Sequence, residues 1–152
     1  MAPTIRIEDP DQPALRAMLA EADAFYNALY PPEHNHLLDI AALQRSGVAF
    51  HVARIDGRIA GFGAVILQPG DWAEIRRMYV APGSRGQGIG RRLLETLEAY
   101  ARTARIRVLR LETGTRQPAA LSLYRAAGFT PRGPFGAYAA NGSSLFLEKT
   151  LA

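Results

Sequence analysis

Residues 72–112 constrain the fold most strongly, because they read as strand, glycine turn, amphipathic helix and strand in one continuous run. Trp72 to Val80 is an extended apolar stretch that breaks at Ala81-Pro82-Gly83. The chain then passes Gly86, Gly88 and Gly90 at alternate positions and enters a helix, Gly88 to Thr103, with Ile89, Leu93, Leu94, Leu97, Tyr100 and Ala101 on one face. Val108 to Glu112 follows as a second strand. A crossover of this length allows the two strands to pair in parallel, which points to a mixed α/β fold.

The glycine turn also has a chemical reading. Glycines let backbone N–H groups approach an oxyanion without interference from a Cβ, and the unsatisfied first-turn amides and dipole of the following helix supply a positive end. The segment reads as a phosphate cradle. A dinucleotide fingerprint requires Gly-x-Gly-x-x-Gly, but Arg91 stands where its third glycine would be. A Walker loop ends in Gly-Lys-Ser/Thr, whereas Gly90 is followed by Arg91-Arg92. Neither fits.

Charge concentrates around the same turn. The chain of 152 residues has a formal net charge of +4, yet residues 72–132 hold twelve arginines against four acids. A ligand with several phosphates explains that excess better than nucleic acid, since no aromatics interleave the arginines and no recognition-helix pattern appears. Binding of nucleic acid is therefore not expected. No apolar run approaches the ~20 residues of a membrane span, so membrane insertion is not expected either. The opening residues lack the basic start and long apolar stretch of a secretory leader, and cytoplasmic residence is the default expectation. There are no cysteines, which removes disulfides, thiolate metal sites and a cysteine acyl-enzyme.

The remainder supports one domain over residues 4–152. Ile5 to Ile7 reads as a short strand. Asp11 is a candidate cap for a helix with Pro13 in its first turn, ending at Pro31-Pro32, and Leu37 to Leu43 as a second short helix. Val48 to Ile55 and Arg58 to Leu67 are strands joined by Asp56-Gly57, a strong hairpin signal. Gln117 to Ala127 is a further helix closed by Gly128, and Ser144 to Lys149 a last strand after the Asn141-Gly142 turn.

Arg85-x-x-Gly88-x-Gly90, between a strand and a helix, closely resembles the acyl-CoA pyrophosphate loop of the GNAT superfamily of N-acetyltransferases. A second stretch, Gln117-x-x-Ala120-x-x-Leu123-Tyr124 followed by Gly128-Phe129, resembles the helix after the parallel strand in that family, with Gln117 in place of its asparagine. The resemblance implies an α/β (mixed α+β) domain: a mostly antiparallel sheet, one parallel pair splayed around an acyl-CoA site, and helices on both faces. It implies acetyl-CoA as cosubstrate, with no metal, held by the backbone of Met78, Tyr79 and Val80, by Arg85, Gly86, Gln87, Gly88, Ile89, Gly90 and Arg91, and by Gln117, Ala120 and Tyr124.

Transfer to nitrogen sets two demands. An alkylamine of pKa ~10.4 is about one part in a thousand unprotonated at neutral pH, so a base can offset roughly 4 kcal/mol. Glu74, six residues before Val80, stands where many such enzymes place a base carboxylate, working directly or through water. Tyr124 is the candidate acid for the departing thiol. Similar enzymes line the acceptor pocket from the end of the first helix and from the last hairpin, which implies Tyr26, Tyr30, Glu33 and His36 with Phe135 and Tyr138. The expected reaction is direct transfer of an acetyl group to a primary amine of a small or amino-acid-like acceptor. A peptide acceptor and a non-catalytic acyl-CoA-binding module remain alternatives, and a homodimer is compatible with the resemblance.

Overall fold

The computed structural model describes residues 2–35 and 38–151. Seven strands form one sheet: β1 (Thr4–Ile7), β2 (Val48–Ile55), β3 (Arg58–Leu67), β4 (Trp72–Val80), β5 (Val108–Gly114), β6 (Thr130–Arg132) and β7 (Ser144–Thr150). Their order is β1-β2-β3-β4-β5-β7-β6, and every neighbouring pair is antiparallel except β4 with β5. The helices are α1 (Pro13–Leu29), α2 (Ile40–Leu43), α3 (Ile89–Thr103) and α4 (Pro118–Ala126). This is the mixed α/β sheet with one parallel pair that the central run demanded.

Each face of the sheet has its own core. On one face Leu15, Leu19 and Ala22 of α1 and Leu43 of α2 pack against Phe50, Val52, Phe62 and Ala64. On the other, Leu94, Leu97 and Ala101 of α3 and Tyr124 of α4 cover Val65, Ile75, Leu109 and Leu111. Alternation along β4 and β5 therefore turns Ala73, Ile75, Leu109 and Leu111 toward α3 and α4. Glu74, Arg76, Arg110 and Glu112 face the opposite way.

Two features of β4 create the site. Its parallel pairing with β5 is short, running from Trp72 opposite Val108 to Ile75 opposite Leu111. Beyond that point β4 follows β3 to Val80 while β5 follows β7 to Gly114, so the strands separate and leave a gap. The second feature is a bulge. The register of β3 against β4 slips between Phe62 and Ala64, and Arg77 takes φ +60°. The partner strand makes room: a Cβ on Gly63 would sit 2.6 Å from Met78 Sδ, and one on Gly61 2.6 Å from the Tyr79 carbonyl oxygen.

Turn chemistry agrees with the residues present. Asp56 (φ +52°) and Gly57 (φ +80°) both adopt the left-handed conformation that a two-residue hairpin turn needs. Asp39 caps α2 by accepting from the Ala42 amide at 2.8 Å. Asp11 does not cap α1. The helix begins from Gln12, and the Asp11 carboxylate is drawn instead to Arg16 Nε at 2.6 Å. The start expected for α2, Leu37, lies outside the described residues.

Candidate active site

The glycine turn forms one wall of a cleft of about 460 Å³. Gly86 (φ +77°) and Gly88 (φ +78°) require the left-handed backbone, and no atom lies within 4 Å of where a Cβ would stand on either. Both glycines therefore serve the backbone and leave its N–H groups uncovered. Gly88 opens α3, and the first amide bonded back into the helix is Arg92, to the Gly88 carbonyl at 3.1 Å. The Ile89, Gly90 and Arg91 amides are first-turn groups without intrahelical acceptors. Gly90 has a packing reason: a Cβ there would lie 3.3 Å from Leu123 of α4, the opposite wall.

The rim of this cleft is charged. Arg85 turns back so that Nε donates to the Val80 carbonyl at 3.0 Å, with its guanidinium 5.5 Å from the Phe25 ring centre and 5.4 Å from that of Tyr79. Tyr79 pairs with Phe62 in the sheet and stacks on its ring, bordering the cleft beside Arg85. Gln87 gives its amide to the Gly83 carbonyl at 3.4 Å and turns away from the cleft. Met78 presents its carbonyl to the Tyr26 hydroxyl, which donates at 3.0 Å. Burial pushes the Tyr26 hydroxyl up to about 12.

A second, smaller cavity of about 110 Å³ lies in the gap between β4 and β5. The two spaces share Tyr26, Met78, Gln117, Ala120 and Tyr124. Glu74 lines the small cavity and is buried, with only 6% of its surface exposed. Burial pushes its carboxyl above the ordinary glutamate range, and the Glu112 charge adds to that. Hydrogen bonding from Tyr138 and the Arg76 guanidinium, 3.8 Å from Oε2, pull the other way. The Tyr138 hydroxyl donates to Glu74 Oε2. Tyr124 is buried where the two spaces meet, and desolvation raises its hydroxyl far above the usual phenol value, so it keeps its proton through neutral pH.

Long-range ties hold this cavity together. The Tyr30 hydroxyl accepts from the Arg116 amide at 3.0 Å and from Gln117 Nε2 at 3.3 Å, joining the end of α1 to the turn before α4. Gly114 has to be glycine here, since a Cβ would overlap that hydroxyl. Gln117, expected to meet the cofactor arm, thus directs its amide to Tyr30. Ser143 binds His34 Nδ1 through its hydroxyl at 2.7 Å, and its carbonyl accepts from the Thr115 amide at 2.9 Å. Tyr138 is held over Glu74 by an aromatic layer in which Phe135 packs 5.6 Å from Trp72, 5.8 Å from Phe146 and 5.1 Å from Tyr138.

Of the residues expected to line the acceptor pocket, Tyr26, Tyr30 and Tyr138 border the cavity. Two do not. Glu33 sits exposed in the short helical turn Pro32–His34, where His34 and the following Asn35 take the places that border the cavity. Phe135 is buried beneath Tyr138, because its ring fills the layer on Trp72 and Phe146. His36 lies outside the described residues. Glu112, Arg77 and Ser143 border the cavity without having been expected there. Alternation offered a signal for Glu112, since Leu109 and Leu111 read as core and put Glu112 on the face of Glu74. Arg77 had none, because its place depends on the bulge and on Asp23 of α1, which it meets at 2.6 Å.

Comparison with known proteins bears on the family and the fold. Residues 15–129 match the model of the Acetyltransferase (GNAT) family. The chain is 46% identical over 149 residues to the IAA acetyltransferase of Azospirillum brasilense, covering 97% of each. A crystal structure from Klebsiella pneumoniae, of a protein named for acyl-CoA N-acyltransfer, superimposes with a TM-score of 0.87 at 34% identity, covering 99% of this chain and 98% of that one. The fold is shared with the PaiA N-acetyltransferase of Thermoplasma acidophilum in complex with coenzyme A, with a TM-score of 0.78 at 23% identity over 99% of this chain and all of that one.

Proposed function

Since the chain belongs to the GNAT family of acetyltransferases and is an acyltransferase using acetyl-CoA, we propose that it transfers the acetyl group directly to a primary amine of a small or amino-acid-like acceptor. The observation that carries this reading is the meeting of two unlike spaces at Tyr124 and Met78: a wide cleft with the glycine turn as one wall, and a small polar cavity bordered by Glu74.

The cleft fits a diphosphate. Uncovered glycine amides, the first turn of α3 and the Arg85 charge are the donor set that a doubly charged oxyanion requires. Bound there, acetyl-CoA supplies the thioester carbonyl that an amine attacks and the thiol that leaves. The chain's own residues handle the protons. Glu74, raised toward neutrality by burial, takes the proton that keeps an entering alkylammonium unreactive. A base whose pKa approaches the working pH is more effective than an ordinary surface carboxylate. Tyr124 holds a proton at the junction for the departing sulfur, and the nitrogen's remaining surplus proton restores it. No cysteine exists to carry the acetyl group, so direct transfer is the route.

Acceptor size follows from volume. The cavity measures about 110 Å³ and is bordered by Tyr138 beside Glu74 and by the Ser143 tie to His34, which suits a small polar amine better than an extended peptide. Thiol release from acetyl-CoA, measured over a panel of free amines, amino acids and N-terminal peptides, tests the reading. Release with free amines is expected. Release with peptides alone would replace the acceptor class, and tight acetyl-CoA binding without release would make the chain a binding module.

A further inference from the structure

The acceptor cavity holds two carboxylates, and the proton transfer needs one. Glu74 has compensation from the Arg76 guanidinium at 3.8 Å and the Tyr138 hydroxyl. Glu112 is placed differently. It is half-buried near the end of β5, its Oε2 accepts from Ser144 Oγ at 2.7 Å, and no cationic side chain among the described residues is paired with it. Arg110, two positions earlier on the same face, does not fill that need. Its guanidinium goes to Glu148 at 3.1 Å and lies 4.7 Å from the Trp72 ring centre. Arg77 likewise is committed to Asp23 at 2.6 Å.

A carboxylate drawn partly out of water with a single hydroxyl donor is under-compensated. Its natural counter-charge is a cation that arrives with the substrate. We infer that Glu112 docks the acceptor in its ammonium form, so that the enzyme selects amines that are cationic at neutral pH over nucleophiles that are uncharged there. This rests on the cavity being the acceptor site. Two carboxylates then divide the work: Glu112 attracts the charged amine, and Glu74, which shares the space, removes the proton. Glu112 is a specificity residue, whereas Glu74 is catalytic.

Glu112→Gln tests this in the full chain. With the amine best used in the panel, its KM should rise about ten- to a hundredfold, the size of a lost charge-assisted contact, with kcat changed less than about threefold. With hydroxylamine, uncharged at the assay pH, KM should stay within about twofold. Among the described residues, the charged and titratable groups that share the cavity with Glu74 are Arg76 and Arg77 on β4, Tyr138 on the 133–143 loop, Tyr26 on α1, Tyr30 and His34 after it and Tyr124 on α4, with Glu112 the one like charge. Removing that charge should therefore also move the acidic limb of kcat/KM to lower pH. Glu112→Asp should recover part of the KM loss. In the unaltered enzyme, added salt should raise KM for the ammonium acceptor and leave that for hydroxylamine unchanged, a readout that needs no variant. Equal KM changes for charged and uncharged acceptors, or a fall in kcat at constant KM, would overturn the assignment. Absence of transfer by the unaltered enzyme to every amine would remove the acceptor reading, and this inference with it.

Discussion

The two halves of the site are built by different means. In the cleft proposed for acetyl-CoA, the wall that meets the phosphates is one continuous segment, residues 84–91, whose backbone amides are aligned by glycine conformations and a helix start. The acceptor cavity is made from side chains of α1, β4, β5, the turn before α4 and the 133–143 loop, tied across as many as 109 residues by His34 and Ser143. A backbone cradle is indifferent to most substitutions around it, whereas a side-chain cavity changes with each one. The fixed half can serve one cosubstrate while the variable half selects the acceptor.

If that division holds, substitutions should separate chemistry from cosubstrate binding. Glu74→Gln should lower kcat by about 100- to 10,000-fold while acetyl-CoA affinity by calorimetry stays within about twofold. A carboxylate pushed up by burial must also lose its proton before it acts, so kcat/KM should rise with pH through a value above the ordinary glutamate range. Tyr124→Phe should slow turnover by about ten- to a thousandfold with binding largely kept, and unchanged turnover would remove Tyr124 from the mechanism.

Smaller effects should fall on the other side of the division. Gly88→Ala meets open space but must hold φ +78°, costing about 1–2 kcal/mol of backbone strain and weakening acetyl-CoA about tenfold. Gly83→Ala, also in open space but without a positive φ, should bind within about twofold of the parent. Equal losses in both would mean that conformation is not what these glycines provide. In the cavity, Tyr138→Phe keeps the ring in its aromatic layer and removes a hydrogen bond that lowers the Glu74 pKa. The acidic limb should move to higher pH, with only a severalfold loss well above it; a stationary limb would break the link between the loop and the base.

The same division explains what could be read in the residues alone. The glycine turn was legible because Gly86 and Gly88 act through local conformation, and the parallel pair because the crossover length is local too, whereas Gly90 answers to Leu123 of α4. Glu74 was reached through the family resemblance, which places a base carboxylate six residues before Val80. Glu112 acquires meaning only when β5 lies beside β4 with both faces assigned. Tyr138 and Phe135 share a loop and an aromatic character, yet one closes the cavity and the other supports it, a difference decided by Trp72 and Phe146. The Arg77 bulge follows from Gly63 on the neighbouring strand. Asp11 lost the cap position because Arg16 lies within reach of its carboxylate.

On the proposed division, main-chain groups of the turn hold the cosubstrate and side chains of the neighbouring cavity hold the acceptor. Amide chemical shifts followed during titration with coenzyme A, and separately with the best acceptor amine, decide whether they do. Coenzyme A should move the amides of Gly86 to Arg91 saturably, and the amine those of residues 74–77 and 112–114, with Met78 and Tyr124 at the junction responding to both. Shifts from coenzyme A that spare the turn, or an amine that perturbs the same residues as coenzyme A, would contradict it.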